Sequence, residues 1–134
     1  MATMIDSSVW VDYFHPKTPR AIRQTARGVI LHADAALCEP ILFELLRGAP
    51  KNQRAIIEAH FATMPVLHTP ASLWRDARQL GQACHDRGMI AGSMDLLIAS
   101  ICIHHNVALV SFDAEFAEIA KVSSLECRLL ARNA

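Results

Sequence analysis

Four carboxylates stand where a fold could gather them, and their chemical type restricts what they could do together. Asp6 ends the apolar run Thr3, Met4, Ile5, and Asp113 follows the apolar run Val107 to Val110 and Ser111. Asp95 opens the run Leu96, Leu97, Ile98, Ala99, Ile101, Cys102, Ile103, while Glu44 stands among Ile41, Phe43, Leu45 and Leu46. An acid at the rim of an apolar segment is costly to desolvate unless something positive meets it. Oxygen ligands with no Cys or His among them select a hard cation, Mg²⁺ or Mn²⁺, over zinc. Such an ion suits hydrolysis of a phosphodiester, because it acidifies water, clamps phosphate oxygens and offsets charge on the leaving oxygen.

The elements that would position these acids can be read from the chain around them. Ser93 can cap a helix whose first turn holds Asp95 and whose apolar body looks buried on nearly every side. A helix of roughly twelve residues travels about 18 Å, and a strand of about five residues returns roughly 16 Å. Asp113 should therefore emerge beside Asp95 at one edge of a sheet. Thr3 to Ile5 reads as a buried strand with Asp6 at its carboxyl end and a helix start at Ser7 or Ser8, with Met4 as an alternative first residue and Met1 to Thr3 added or frayed.

The remaining chain alternates strands with helices. A helix begins at Thr18 and Pro19, a strand runs over Ala35 to Cys38, and Glu39 and Pro40 open a helix that Gly48, Ala49 and Pro50 stop. A helix over Lys51 to Thr63, a strand at Pro65 to His68 and an amphipathic helix from Pro70 to Arg87 follow, and the exposed apolar remainder of the last could be a dimer face. Phe116, Ile119 and Ala120 suggest a short helix, and Leu125 to Leu130 an edge strand. This alternation predicts an α/β fold, a central mostly parallel sheet flanked by helices, in a single domain over residues 1–134. Sites in such sheets form beyond the carboxyl ends of strands, where strand order reverses. Asp6 and Asp113 fall at such ends, and Asp95 and Glu44 are read as lying in first turns of helices that could point there.

Two of the four acids have a plainer reading beside the functional one. Asp6 could be a helix cap, and Glu44 could face water and pair with Arg47 three residues on; periodicity does not separate that pair from a cleft-facing Glu44. Asp12, Glu115 and Glu118 are read as solvated. Arg20, Arg23 and Arg27 make a basic ridge that is a solvated face or a phosphate contact. His104 and His105 are read as a helix end without a ligand role.

Composition narrows the classes further. Hydrophobic residues make up 52% of the 134, enough for a packed core, and thirteen basic residues balance thirteen acidic ones. A polyanion partner would thus need a local patch or a bound metal. Cys38, Cys84, Cys102 and Cys127 are scattered without a CxxC pair, which favours buried free thiols in a reducing compartment. Nothing resembles a leader or a membrane span, so the expected location is the cytoplasm.

The segments MIDSSVWVDYF, EPILFELLRG, MDLLIAS and LVSFDAEF, in this order and spacing, resemble the PIN-domain ribonucleases, specifically the VapC-type toxins of bacterial toxin-antitoxin pairs. The resemblance runs through nearly the whole chain. It implies a three-layer PIN-like fold and a Mg²⁺- or Mn²⁺-dependent endoribonuclease whose acidic ligands fall on Asp6, Glu44, Asp95 and Asp113. Family members also place a hydroxyl beside the first and last acids, here Ser7 and Ser111, and a basic residue after the glutamate, here Arg47. They usually form homodimers, are held inactive by a cognate antitoxin, and cut structured RNAs such as transfer or ribosomal RNA. A non-toxin RNA-processing nuclease of the same fold and a non-enzymatic protein-interaction module are the competing readings. A phosphotransferase of the haloacid dehalogenase type would need a second Asp two residues after the first, where Ser8 stands.

Overall fold

The computed structural model describes residues 2–132. Along the chain run β1 (Thr3–Ile5), α1 (Ser7–Phe14), α2 (Arg20–His32), β2 (Ala35–Ala36), α3 (Glu39–Gly48), α4 (Arg54–Phe61), α5 (Leu73–Asp86), α6 (Ser93–His105), β3 (Ala108–Ser111), α7 (Ala114–Ala120) and β4 (Cys127–Leu129). The four strands form one sheet in the order β2-β1-β3-β4, and every neighbouring pair is parallel. Parallel strands need helical crossovers that cover the sheet, so their residues are apolar without alternation. Thr3 to Ile5 and Ala108 to Ser111 are accordingly buried throughout. From β1 the chain first moves to β2 on one side and later to β3 on the other. The order therefore reverses between β1 and β3, and the register sets Ile5 opposite Val110.

Trp10 anchors the packing below that junction. Its indole Nε1–H donates to the Ile5 carbonyl at 3.1 Å, and its ring meets Phe61 edge-on with centroids 4.7 Å apart. α6 has no polar face in its middle: Ile98 through Cys102 are all buried, as an all-round apolar helix must be. Asn106, with φ 54°, closes α6, and the Val107 N–H bonds the Cys102 carbonyl at 3.0 Å. α5 lies close to α6 at Gly81, where a Cβ would stand 3.0 Å from Leu96 Cδ1. Cys38, Cys84 and Cys102 are buried free thiols and Cys127 is partly buried. Burial pushes the Cys38 thiol up to about 12, which leaves it inert. Among the described residues no helix is long and apolar enough to cross a membrane.

Several local expectations are corrected. Pro65 to His68 contributes only one parallel bridge, Leu37 with Val66, in place of a strand. Pro65 has no N–H to give, and the segment's ladder stops after two bonds to Leu37, at 2.9 and 2.7 Å. α4 and α5 begin three residues later than the sequence pattern suggests, because Pro50 and Pro70 each accept a turn bond, from Gln53 and Leu73, before the helix starts. Gly92, not Ser93, is the N-cap of α6. Met1 lies outside the described residues, but Thr3 is no frayed end: it is buried and its N–H bonds the Asp34 carbonyl at 2.8 Å. Asp12 pairs with Arg132, whose guanidinium also sits over the Phe112 ring at 4.5 Å.

Candidate active site

The carboxyl ends of β1 and β3 meet at a rim, and the polar groups there are tied into one network. Asp6 is both the end of β1 and the N-cap of α1. Its backbone N–H bonds the Val110 carbonyl at 3.0 Å, which carries the β1–β3 ladder one residue past the strand and fixes Asp6 at the rim. The carboxylate is only 3% exposed. Oδ2 accepts from Ser111 Oγ at 2.7 Å and Ser8 Oγ at 2.8 Å, with a longer contact from the Ser8 N–H at 3.4 Å. Oδ1 has only Ser7 Oγ, at 3.5 Å. The Ser7 hydroxyl is better placed on Glu44 Oε1, at 3.0 Å, and its single proton goes there.

Ser8 and Ser111 do more than serve Asp6. Ser8 Oγ accepts the Phe112 N–H at 3.1 Å, and Ser111 Oγ accepts the Asp113 N–H at 2.9 Å. The two hydroxyls thereby hold the chain leaving β3 against the start of α1. Asp113, exposed, caps α7 by accepting the Glu115 N–H at 2.9 Å. Glu115 reaches back to α6, where its Oε1 accepts the Gly92 N–H at 3.0 Å.

Asp95, Asp113 and Glu115 each place a carboxylate oxygen within 4.8 Å of the others. The return of β3 against α6 thus brings Asp113 beside Asp95, as the element lengths require. Glu115 is the addition: expected in solvent, it is part-buried in this cluster, because α7 turns its first residues over the start of α6. Burial is the largest cause that raises the Asp95 carboxyl to about 8, followed by a hydrogen bond to Glu115 and the charges of Glu115, Asp113 and Asp6. A carboxyl–carboxyl hydrogen bond requires a proton between the two groups. Glu44 is also raised, first by burial; the Ser7 hydrogen bond opposes this, Asp6 and Asp113 add to it, and Arg47 lowers it. Glu44 therefore lies within the field of the same acids. It sits in the second turn of α3, not the first. Arg47 is exposed, with its guanidinium over the Phe43 ring at 5.6 Å, and Glu44 is held by Ser7 in its place.

Among the described residues, none of Asp6, Glu44, Asp95, Asp113 and Glu115 forms an ion pair. Five acids gathered at one rim, one of them buried and none in an ion pair, leave a need for positive charge that Arg47, whose field reaches only Glu44, does not fill. The donor set is all carboxylate oxygen, which suits a hard divalent cation. Ser8, Ser111 and Ser7 are the groups that orient its inner face.

A profile of the PIN domain family matches residues 3–122. Ribonuclease VapC11 of Mycobacterium tuberculosis is 31% identical over 135 residues, spanning 92% of this chain and 95% of that protein. The chain belongs to the PIN domain family, among the VapC ribonucleases. Solved PIN-fold assemblies agree in architecture. VapBC2 from Rickettsia felis, bound to a DNA fragment from its promoter, superposes with a TM-score of 0.76 at 21% identity, covering 97% of this chain and 99% of that one. VapBC-5 from Mycobacterium tuberculosis, a member of the VapBC family of toxin-antitoxin systems, gives 0.69 at 21%, covering 96% and 98%. This PIN domain thus has the α/β fold expected from its strand and helix alternation, with all strands parallel.

Proposed function

We propose that this PIN domain is a divalent-cation-dependent endoribonuclease, the toxin of a toxin-antitoxin pair acting in the cytoplasm, with Asp6, Glu44, Asp95 and Asp113 as its metal-holding acids. The observation that carries the reading is the convergence of these carboxylates with Glu115 at the β1–β3 switch point, where among the described residues none of them forms an ion pair. Mg²⁺ or Mn²⁺, when bound, supplies charge to the phosphodiester oxygens and acidifies water.

The chain's own residues prepare that site. Ser8 and Ser111 occupy Asp6 Oδ2, which leaves Oδ1 as the oxygen with a free lone pair. Ser7 does the same for Glu44 by taking Oε1 and leaving Oε2. Asp95, its carboxyl raised to about 8, keeps its proton near neutral pH while no cation is present, which limits repulsion among the acids. Arg47, exposed at the end of α3, is free to meet RNA phosphate.

The named toxin-antitoxin assembly of the same fold supports an antitoxin as the protein partner, and a homodimer is the proposed state of the toxin. An apolar groove lined by Val11, Phe14, Leu45 and Ile57 opens beside Glu44 and offers that partner a seat next to the acids. The test is incubation of purified protein with total RNA, with and without Mn²⁺, native against Asp95→Asn. Cation-dependent cleavage that disappears in the variant is expected, with circular dichroism unchanged. Equal cleavage by both proteins rejects the assignment, and absence of cleavage by the native protein favours a pure interaction module.

A further inference from the structure

α6 carries acids at its first turn and imidazoles at its last. Asp95 and His104 are nine positions apart, roughly 14 Å along the axis. At the far end, His68, His104 and His105 each place a ring nitrogen within 4.8 Å of the other two. Ring centroids lie 4.5 Å apart for His68 and His105, 5.0 Å for His104 and His105, and 5.6 Å for His68 and His104.

We propose that this trio is a second metal site, for a borderline divalent cation of the Zn²⁺ and Ni²⁺ kind, chemically distinct from the carboxylate pocket. Nitrogen donors without a carboxylate among them favour late first-row metals over Mg²⁺ or Mn²⁺. Zinc–nitrogen bonds of about 2.0–2.1 Å place tetrahedral ligand nitrogens about 3.4 Å apart, so small χ rotations of the rings complete the geometry. His68 and His104 are exposed and free to make them.

Two features pre-arrange the site. His105 Nε2 lies 2.9 Å from the His68 carbonyl oxygen. That oxygen can only accept, so Nε2 carries the proton and Nδ1 keeps its lone pair, the arrangement by which a backbone carbonyl fixes the tautomer of a metal-binding histidine. The backbone on both sides is also held. Asn106 in the left-handed region locks the end of α6, while Leu67, beside His68, bonds the Leu37 carbonyl at 2.7 Å. The carboxyl end of a helix adds a favourable field for a cation. Water fills the fourth position, and the bound ion staples the 65–69 segment to α6.

Calorimetric titration of Zn²⁺ into tag-free protein tests this. Asp95→Asn, which weakens the carboxylate pocket, should retain a Zn²⁺ site that excess Mg²⁺ does not displace. His68→Gln and His104→Gln in that background should weaken it by about 100-fold or more, since even the loss of an outer partner costs up to about that factor. Both rings are exposed, so these variants should keep the native dichroism spectrum, and the same two substitutions made in the otherwise native chain should keep its Mg²⁺-dependent RNA cleavage. Zinc binding that disappears with Asp95→Asn, or that persists at full strength in both histidine variants, overturns the proposal. The outcome is independent of whether the carboxylate pocket cuts RNA.

Discussion

Adding a divalent cation to the cation-free protein at neutral pH should expel close to one proton. The Asp95 carboxyl is raised to about 8, by burial first and then by its hydrogen bond and charge interaction with Glu115. Simple titration of such a group leaves it about 0.9 protonated near pH 7, about half near pH 8 and about 0.1 near pH 9. A cation bound through carboxylate oxygens takes the ionised form, so that fractional occupancy becomes the number of protons released. Calorimetric titration with MnCl₂ in three buffers of different ionisation enthalpy measures it directly: apparent enthalpy plotted against buffer enthalpy has the proton count as its slope. The expected slope is about 0.9 near pH 7, falling to about 0.1 near pH 9. Glu115→Gln, which removes one charge of the pair, should reduce the release near pH 7. A slope near zero at pH 7 in the native protein would refute the raised Asp95 carboxyl, and with it the view that Asp95 holds the ion.

Three further outcomes follow from the same geometry. The folded-state pKa of Asp95 lies above its ordinary value, so the stability linked to its proton is full below about pH 4 and is lost as pH rises through about 8; Asp95 is partly solvated, and Asp95→Asn should recover about 1–2 kcal/mol near pH 9 without cation, read by urea unfolding. Ser111→Ala removes the 2.7 Å donor to Asp6 and the acceptor of the Asp113 N–H, and should cost about 1–3 kcal/mol and weaken Mn²⁺ binding by about tenfold or more. Trp10→Ala empties a fully buried site and loses the bond to Ile5, and should cost about 3–5 kcal/mol in the same unfolding assay.

The parts of the fold that were legible are those whose signal is continuous along the chain. The apolar runs of β1, α6 and β3 and the lengths of the latter two placed Asp113 beside Asp95, and an uninterrupted apolar strand ending in Asp6 placed that acid at a sheet rim. Pro65 to His68 falls short of the strand its composition suggests, because an apolar run between prolines carries no information about how much ladder its neighbour offers. Glu115 reads as solvated in the sequence for a different reason. On α7 alone it is an ordinary first-turn acid, and only the tilt of α7 over α6 brings it to Gly92 and Asp95. Ser8 mattered in the sequence for the aspartate it is not, whereas in space its hydroxyl supports Asp6 and Phe112 at once. The histidine trio is non-local in the same sense, joined only because residue 68 returns alongside the end of α6.

The pairing of β1 with β3 has a consequence for how the protein comes into being. Ile5 finds Val110 across more than a hundred positions of chain, and Asp6 acquires its Ser111 partner only through that closure. Until this central ladder zips, the first acid is a lone carboxylate at the start of an unfinished chain. Long-range closures of this kind are also the slow ones, so the acid rim is among the last parts of the molecule to be assembled, and a fold caught before that closure carries its acids apart.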